Sequence, residues 1–152
     1  MNFRIRGLEA KQFTHLFTLS DAELGTLGAV RQIAQGPSPC RVSLTDAKPG
    51  DELILVNYEH HAVASPYRMR FAIYVRENEE TFDAVGAVPE QLRTRTLAVR
   101  AFDDKAMMTA CELVEGTRLE EAFERQFADP RAQYLHIHFA AAGCYAARVE
   151  RA

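Results

Sequence analysis

Period-2 alternation of apolar and polar positions is clearest in the segment 134–139. Leu135, Ile137 and Phe139 fall on one strand face, while Tyr134, His136 and His138 fall on the other. Ala140-Ala-Ala-Gly143 reads as a turn, and Cys144 to Val149 as the returning strand that brings Cys144, Tyr145 and Arg148 beside the two imidazoles. The same alternation marks Phe3 and Ile5 against Arg4 and Arg6 as a first strand, and Phe71, Ile73 and Val75 against Arg70, Ala72 and Tyr74 as another. Leu53-Ile-Leu-Val56 is continuously apolar and predicts a central strand covered on both faces. It is introduced by Lys48-Pro-Gly-Asp51, which carries the Pro-Gly signature of a type II turn. Asn57-Tyr-Glu-His-His61 then reads as a loop leaving that strand.

Helical spacing is rarer. Phe13, Leu16 and Phe17 predict one helix, and Ser20-Asp-Ala-Glu23 predicts a capping box opening a short second one that exits near Gly28. Pro89 starts a helical turn running to Arg95. Thr117-Arg-Leu-Glu120 repeats the capping-box pattern before Leu119, Ala122, Phe123, Gln126 and Phe127, which share one helical stripe ended by Asp129-Pro130. Between these elements, Ala29 to Ala34 is a weak strand, Gly36-Pro37-Ser38-Pro39 a loop, and Cys40 to Leu44 extended. Leu97 to Phe102 and Ala106 to Val114 form a hairpin around Asp103-Asp-Lys105. Turns outnumber helical crossovers, so the expected fold is one α+β domain over residues 1–152. Its sheet is mostly antiparallel, either open or curled toward a barrel, and carries about three helices.

Composition narrows the function without naming it. A net charge of -3 and the lack of any dense Lys/Arg cluster argue against nucleic acid as a partner. No apolar run approaches the 18 or so residues of a membrane span, and Met1-Asn-Phe-Arg-Ile-Arg6 lacks the continuous apolar core of a signal peptide; the expected location is the cytoplasm, away from membranes. The three cysteines, Cys40, Cys111 and Cys144, include no Cys-x-x-Cys pair and read as reduced thiols. Phosphate-binding, dinucleotide, nucleophile-elbow and zinc-protease motifs are all absent. No cofactor is expected.

The reactive groups gather in two stretches. His136, His138 and Cys144 are joined by His60 from the segment at the end of the central strand, and these four are the candidate catalytic groups. Ser65-Pro66-Tyr67-Arg68 supplies a hydroxyl, a phenol and a guanidinium suited to closing over an anion. Arg41 and Arg100 are further candidate guanidinium donors, with Tyr58 and Tyr145 as flanking ligand-binding phenols. The leading expectation is a pocket that binds a small anionic ligand. One alternative is a homodimeric interaction module pairing through an exposed sheet edge, in which the histidines and thiols are incidental. A His/Cys metal site is the third reading, weakened because a cupin-like glutamate would fall where Ala142 stands.

Pro39-Cys-Arg-Val-Ser-Leu44, Asn57-Tyr-Glu-His60, Ser65-Pro-Tyr-Arg68, Tyr74-Val-Arg-Glu77, His136-Ile-His138 and Gly143-Cys-Tyr-Ala-Ala-Arg-Val149 occur in an order and spacing that resembles the bacterial domain-of-unknown-function family numbered 1203. The resemblance spans nearly the whole chain. Its pattern has Gly-Pro just before the position of Ile73 and Asn after the second histidine, where this chain has Phe71-Ala72 and Phe139. The resemblance implies a small bacterial, cytoplasmic protein and carries over no catalytic residue.

Overall fold

A computed structural model describes residues 1–152 as eleven strands and three α-helices. The chain runs through β1 (Phe3–Arg6), two 3-10 turns (Ala10–Gln12 and Thr14–Thr18), α1 (Asp21–Thr26), β2 (Ala29–Ile33), β3 (Ser38–Pro39) and β4 (Asp46–Ala47). It continues with β5 (Glu52–His61), β6 (Met69–Val75), β7 (Asp83–Val85), α2 (Glu90–Arg93), β8 (Thr96–Phe102) and β9 (Met108–Glu115). A 3-10 turn at Gly116–Arg118 leads into α3 (Leu119–Phe127), and β10 (Tyr134–Phe139) and β11 (Tyr145–Arg151) follow.

Two antiparallel sheets organise these elements. The larger has the order β7-β1-β11-β10-β8-β9 and the smaller the order β2-β5-β6, with β3 and β4 forming a separate two-stranded ribbon. The fold is therefore α+β, as the sequence predicts. No closed barrel forms: each sheet stays open and keeps its edge strands. Leu113 on edge strand β9 and Val85 on edge strand β7 are both exposed.

One core lies between the larger sheet and α3. Leu119, Ala122, Phe123 and Phe127 of the helix pack with Leu97, Val99, Leu135, Ile137 and Val149 of the sheet. The predicted stripe is the buried one, although the helix begins without a side-chain cap: Thr117 lies in the preceding 3-10 turn, so the second expected capping box does not form. A second cluster joins Ile54, Val56, Ile73 and Val75 of the smaller sheet to Phe13, Leu16 and Leu24. Leu16 lies in the second 3-10 turn and Phe13 between the two; no α-helix forms there.

The first capping box is complete. Ser20 Oγ accepts from the Glu23 amide at 3.2 Å, and a Glu23 carboxylate oxygen accepts from the Ser20 amide at 2.7 Å. This satisfies two amides that a six-residue helix would otherwise leave to water. Ser20→Ala is expected to lower the unfolding free energy by about 1 kcal/mol, and Ser20→Asp to retain most of it. Urea unfolding of the two variants checks this; equal losses would show that the cap is not what holds α1.

Candidate functional site

Strand β10 runs between β11 and β8, so both of its edges are paired, and all six of its residues are buried. Its Leu135, Ile137 and Phe139 face belongs to the α3 core. The opposite face, on which alternation places Tyr134 and the two imidazoles, is also covered: His136 is 2 % and His138 1 % exposed. The cover comes from the far end of β5. The predicted loop 57–61 is in fact a continuation of that strand, interrupted by a register shift between Tyr58 and His61. Adjacent residues on a regular strand would face opposite ways, but at such an irregularity two residues oppose one and the strand bends. Both His60 and His61 thereby reach β10.

Four of the five histidines therefore meet. The His60 ring lies 5.3 Å from that of His138 and 6.2 Å from that of His136, and it stacks on Tyr145 at 4.8 Å. His61 lies 4.7 Å from His136 and is flanked by Phe102 at 4.6 Å. They enclose, with Tyr67, Arg68, Met69 and Arg100, a cavity of about 150 Å³ that no carboxylate lines.

The hydrogen bonds define which nitrogens remain free. His61 Nδ1 lies 2.8 Å from the Tyr67 carbonyl, which can only accept, so the proton sits on Nδ1. Nε2 then accepts from the Tyr134 hydroxyl, also at 2.8 Å. By the same logic His138 Nδ1 donates to the Gly143 carbonyl at 2.9 Å, leaving Nε2 as a bare lone pair. Neither nitrogen of His60 and not Nδ1 of His136 has a protein partner, although all three atoms are buried. Unpaired buried polar atoms are costly, and three of them lie together here.

Burial holds all four imidazoles in the neutral form. It is the main cause that lowers His60 to about 4, with the neighbouring His61 and Arg100 acting in the same direction. It also lowers His138 to about 3 against the opposing bond to Gly143, and it pushes His136 well below the ordinary histidine range. His61 is lowered too, again chiefly by burial. Arg100 stands cross-strand from His136; its guanidinium has no carboxylate partner, and its one side-chain acceptor is the Met69 sulfur at 3.8 Å. The cavity is therefore ringed by neutral donors and acceptors beside an uncompensated positive charge.

Of the residues singled out in the sequence, His60, His136, His138, Tyr67 and Arg68 line this cavity. Arg68 pairs at its mouth with Glu59 at 3.0 Å. Tyr145 lies beneath it as the stacking partner of His60. The remaining candidates are elsewhere. Cys144 and Arg41 line a different cavity on the other side of the hairpin turn. Tyr58 donates to Gln12 and packs on Phe13 in the smaller core. Ser65 ties its own loop by donating to the Ala106 carbonyl and accepting from the Tyr67 amide. The residues that sequence reasoning underweighted are His61 and Arg100. The first shares its predicted loop with His60, and its place directly after that residue is the available signal; the second has no local sequence signal. No three His, Cys, Asp or Glu side chains are placed to hold a metal ion, so the metal alternative lacks a donor set in this geometry.

Fold and site together define an open-sheet α+β protein with a histidine-lined cavity between its two sheets. The family described as "Protein of unknown function (DUF1203)" matches residues 37–151, and the chain belongs to it. The match takes in β5, β10 and β11, the strands that supply the histidines and Tyr145. No curated protein and no solved structure matches the chain. No helix is long and apolar enough to cross a membrane.

Proposed function

We propose that the protein binds a small oxyanion, such as a phosphate or a short carboxylate, in the cavity formed by His60, His61, His136, His138 and Arg100. The observation that carries this reading is the guanidinium of Arg100, which has no counter-charge and faces a cavity of about 150 Å³ where buried imidazole nitrogens lack partners. A bound oxyanion would pair with the charge and accept from imidazole N–H groups, while Arg68 at the mouth can swing from Glu59 toward the ligand. Proton-transfer catalysis is the weaker reading. A general base works best with a pKa near the working pH, whereas His60 and His138 lie at about 4 and about 3. Three free cysteines suit a reducing, cytoplasmic setting.

Titration calorimetry with inorganic phosphate and with acetate tests the reading. Saturable binding is expected, with Arg100→Gln weakening it by about tenfold or more, in line with the loss of one charge-assisted hydrogen bond. A bound anion also stabilises imidazolium, so binding below pH 6.5 should take up protons, visible as a heat that varies with the ionisation enthalpy of the buffer. Anion affinity that is unchanged in Arg100→Gln would sink the proposal.

A further inference from the structure

The turn Ala140–Gly143 separates the histidine cavity from a larger one of about 510 Å³, which contains a different uncompensated charge. Arg41 is only 1 % exposed. Its Nε donates to the Tyr145 carbonyl at 2.7 Å and its Nη1 to the Pro39 carbonyl, and no carboxylate pairs with it. Nη2 has no oxygen acceptor in the protein; Arg41 lines the cavity, and the Cys144 sulfur on the same wall is its remaining polar neighbour. The guanidinium lies over the Phe139 ring, 4.8 Å from its centre. Arg95, the other cation on the wall, is already neutralised by Asp46 at 2.9 Å. Of the two nearby thiols, Cys40 is held neutral, since burial pushes it up to about 12. Backbone carbonyls satisfy two of the guanidinium's donors but do not neutralise its charge, and a buried cation without a counter-ion is strongly unfavourable.

Apart from Thr96, the rest of the wall is largely apolar. Leu55, Phe71, Tyr74 and the three alanines of the turn surround the space, and Phe71 is 39 % exposed. The volume falls in the range of about 300–1,000 Å³ typical of small-molecule sites, and one buried positive charge beside a mostly hydrocarbon surface calls for one negative charge on an apolar body. We propose that this second cavity binds a monocarboxylic acid with an apolar chain or ring, its carboxylate on Arg41 Nη2 and its body against Leu55, Phe71 and Tyr74. An inorganic oxyanion would satisfy the charge but leave that wall wet. The site is independent of the reading given for the histidine cavity, because the two share no lining residue.

The test is calorimetric and NMR titration of the full chain with octanoate, 1-octanol and acetate. Octanoate is expected to bind saturably with a Kd below about 1 mM, 1-octanol at least about tenfold more weakly, and acetate not measurably. The amide resonances of Ala140 to Ala142 and of Phe71 to Tyr74 should move with octanoate. Arg41→Gln should weaken octanoate binding by about tenfold or more. Because Arg41 also anchors two carbonyls, Phe71→Asp at the exposed wall provides a second variant less prone to misfold, expected to lose binding to a similar degree. Arg100→Gln should leave octanoate affinity unchanged. Equal affinities for octanoate and 1-octanol would overturn the proposal, as would resonance shifts centred on His60 and His138, a loss of binding in Arg100→Gln, or no saturable binding at all.

Discussion

Acidification from pH 7 to between 5 and 4 is expected to unfold this protein, well before its surface carboxylates would be fully protonated. An unfolded histidine titrates near 6.5, whereas in the fold His60 titrates at about 4, His138 at about 3 and His136 well below the usual range. A group whose folded pKa is depressed contributes its full share of stability above the unfolded value and loses it as pH falls toward the folded one, because the unfolded chain takes up the proton first. The window is therefore pH 6.5 down to about 4 for His60 and about 3 for His138. At pH 5 each fully buried imidazole withholds roughly 2 kcal/mol, so His136 and His138, with a discounted share from the less buried His60, remove roughly 4–5 kcal/mol. Whole domains have only about 5–15 kcal/mol in total. Circular dichroism against pH should show one cooperative transition in this range, and His138→Gln should move its midpoint to lower pH. A midpoint below pH 3.5 would mean that the imidazoles are hydrated in solution and carry no such penalty.

A loss of similar size is expected from Phe123→Ala. Phe123 is fully buried, meets Phe3 edge to face at 5.1 Å, and backs the strand that carries His136 and His138. Removing the ring discards its burial and leaves a void that a sheet fixed by hydrogen bonds on both sides cannot collapse into, a combination that costs about 3–5 kcal/mol. Phe71→Ala is the natural control: a ring 39 % exposed should cost well under half as much. Urea midpoints at constant slope measure both. Comparable losses in the two variants would show that α3 does not buttress the sheet as described.

Alternation made β10 legible as a strand and placed His136 and His138 on one face together. What it could not show is that this face is buried, since the cover is supplied by residues some 75 positions earlier in a different sheet. Tertiary pairing likewise overrode local composition at Asn57 to His61: a polar, charged run resembles a loop until β6 pairs with it. Cys144 was grouped with the imidazoles because it is near His138 in sequence. Tyr145 is the residue that pairs with His138 across the hairpin, and Cys144 opens instead onto the cavity beyond the turn. Arg41 and Arg100 looked equivalent as isolated arginines. Which cavity each enters depends on long-range packing, and no spacing rule encodes it. The stripe on α3 and the cap of α1 were readable because each depends on residues within a few positions of one another.

The peptide around Gly143 and Tyr145 is a partition with a handle on either side. His138 pulls on the Gly143 carbonyl from one compartment, and Arg41 pulls on the Tyr145 carbonyl from the other. Each carbonyl is thus held from its own side, and the hairpin turn between them is tethered in two directions.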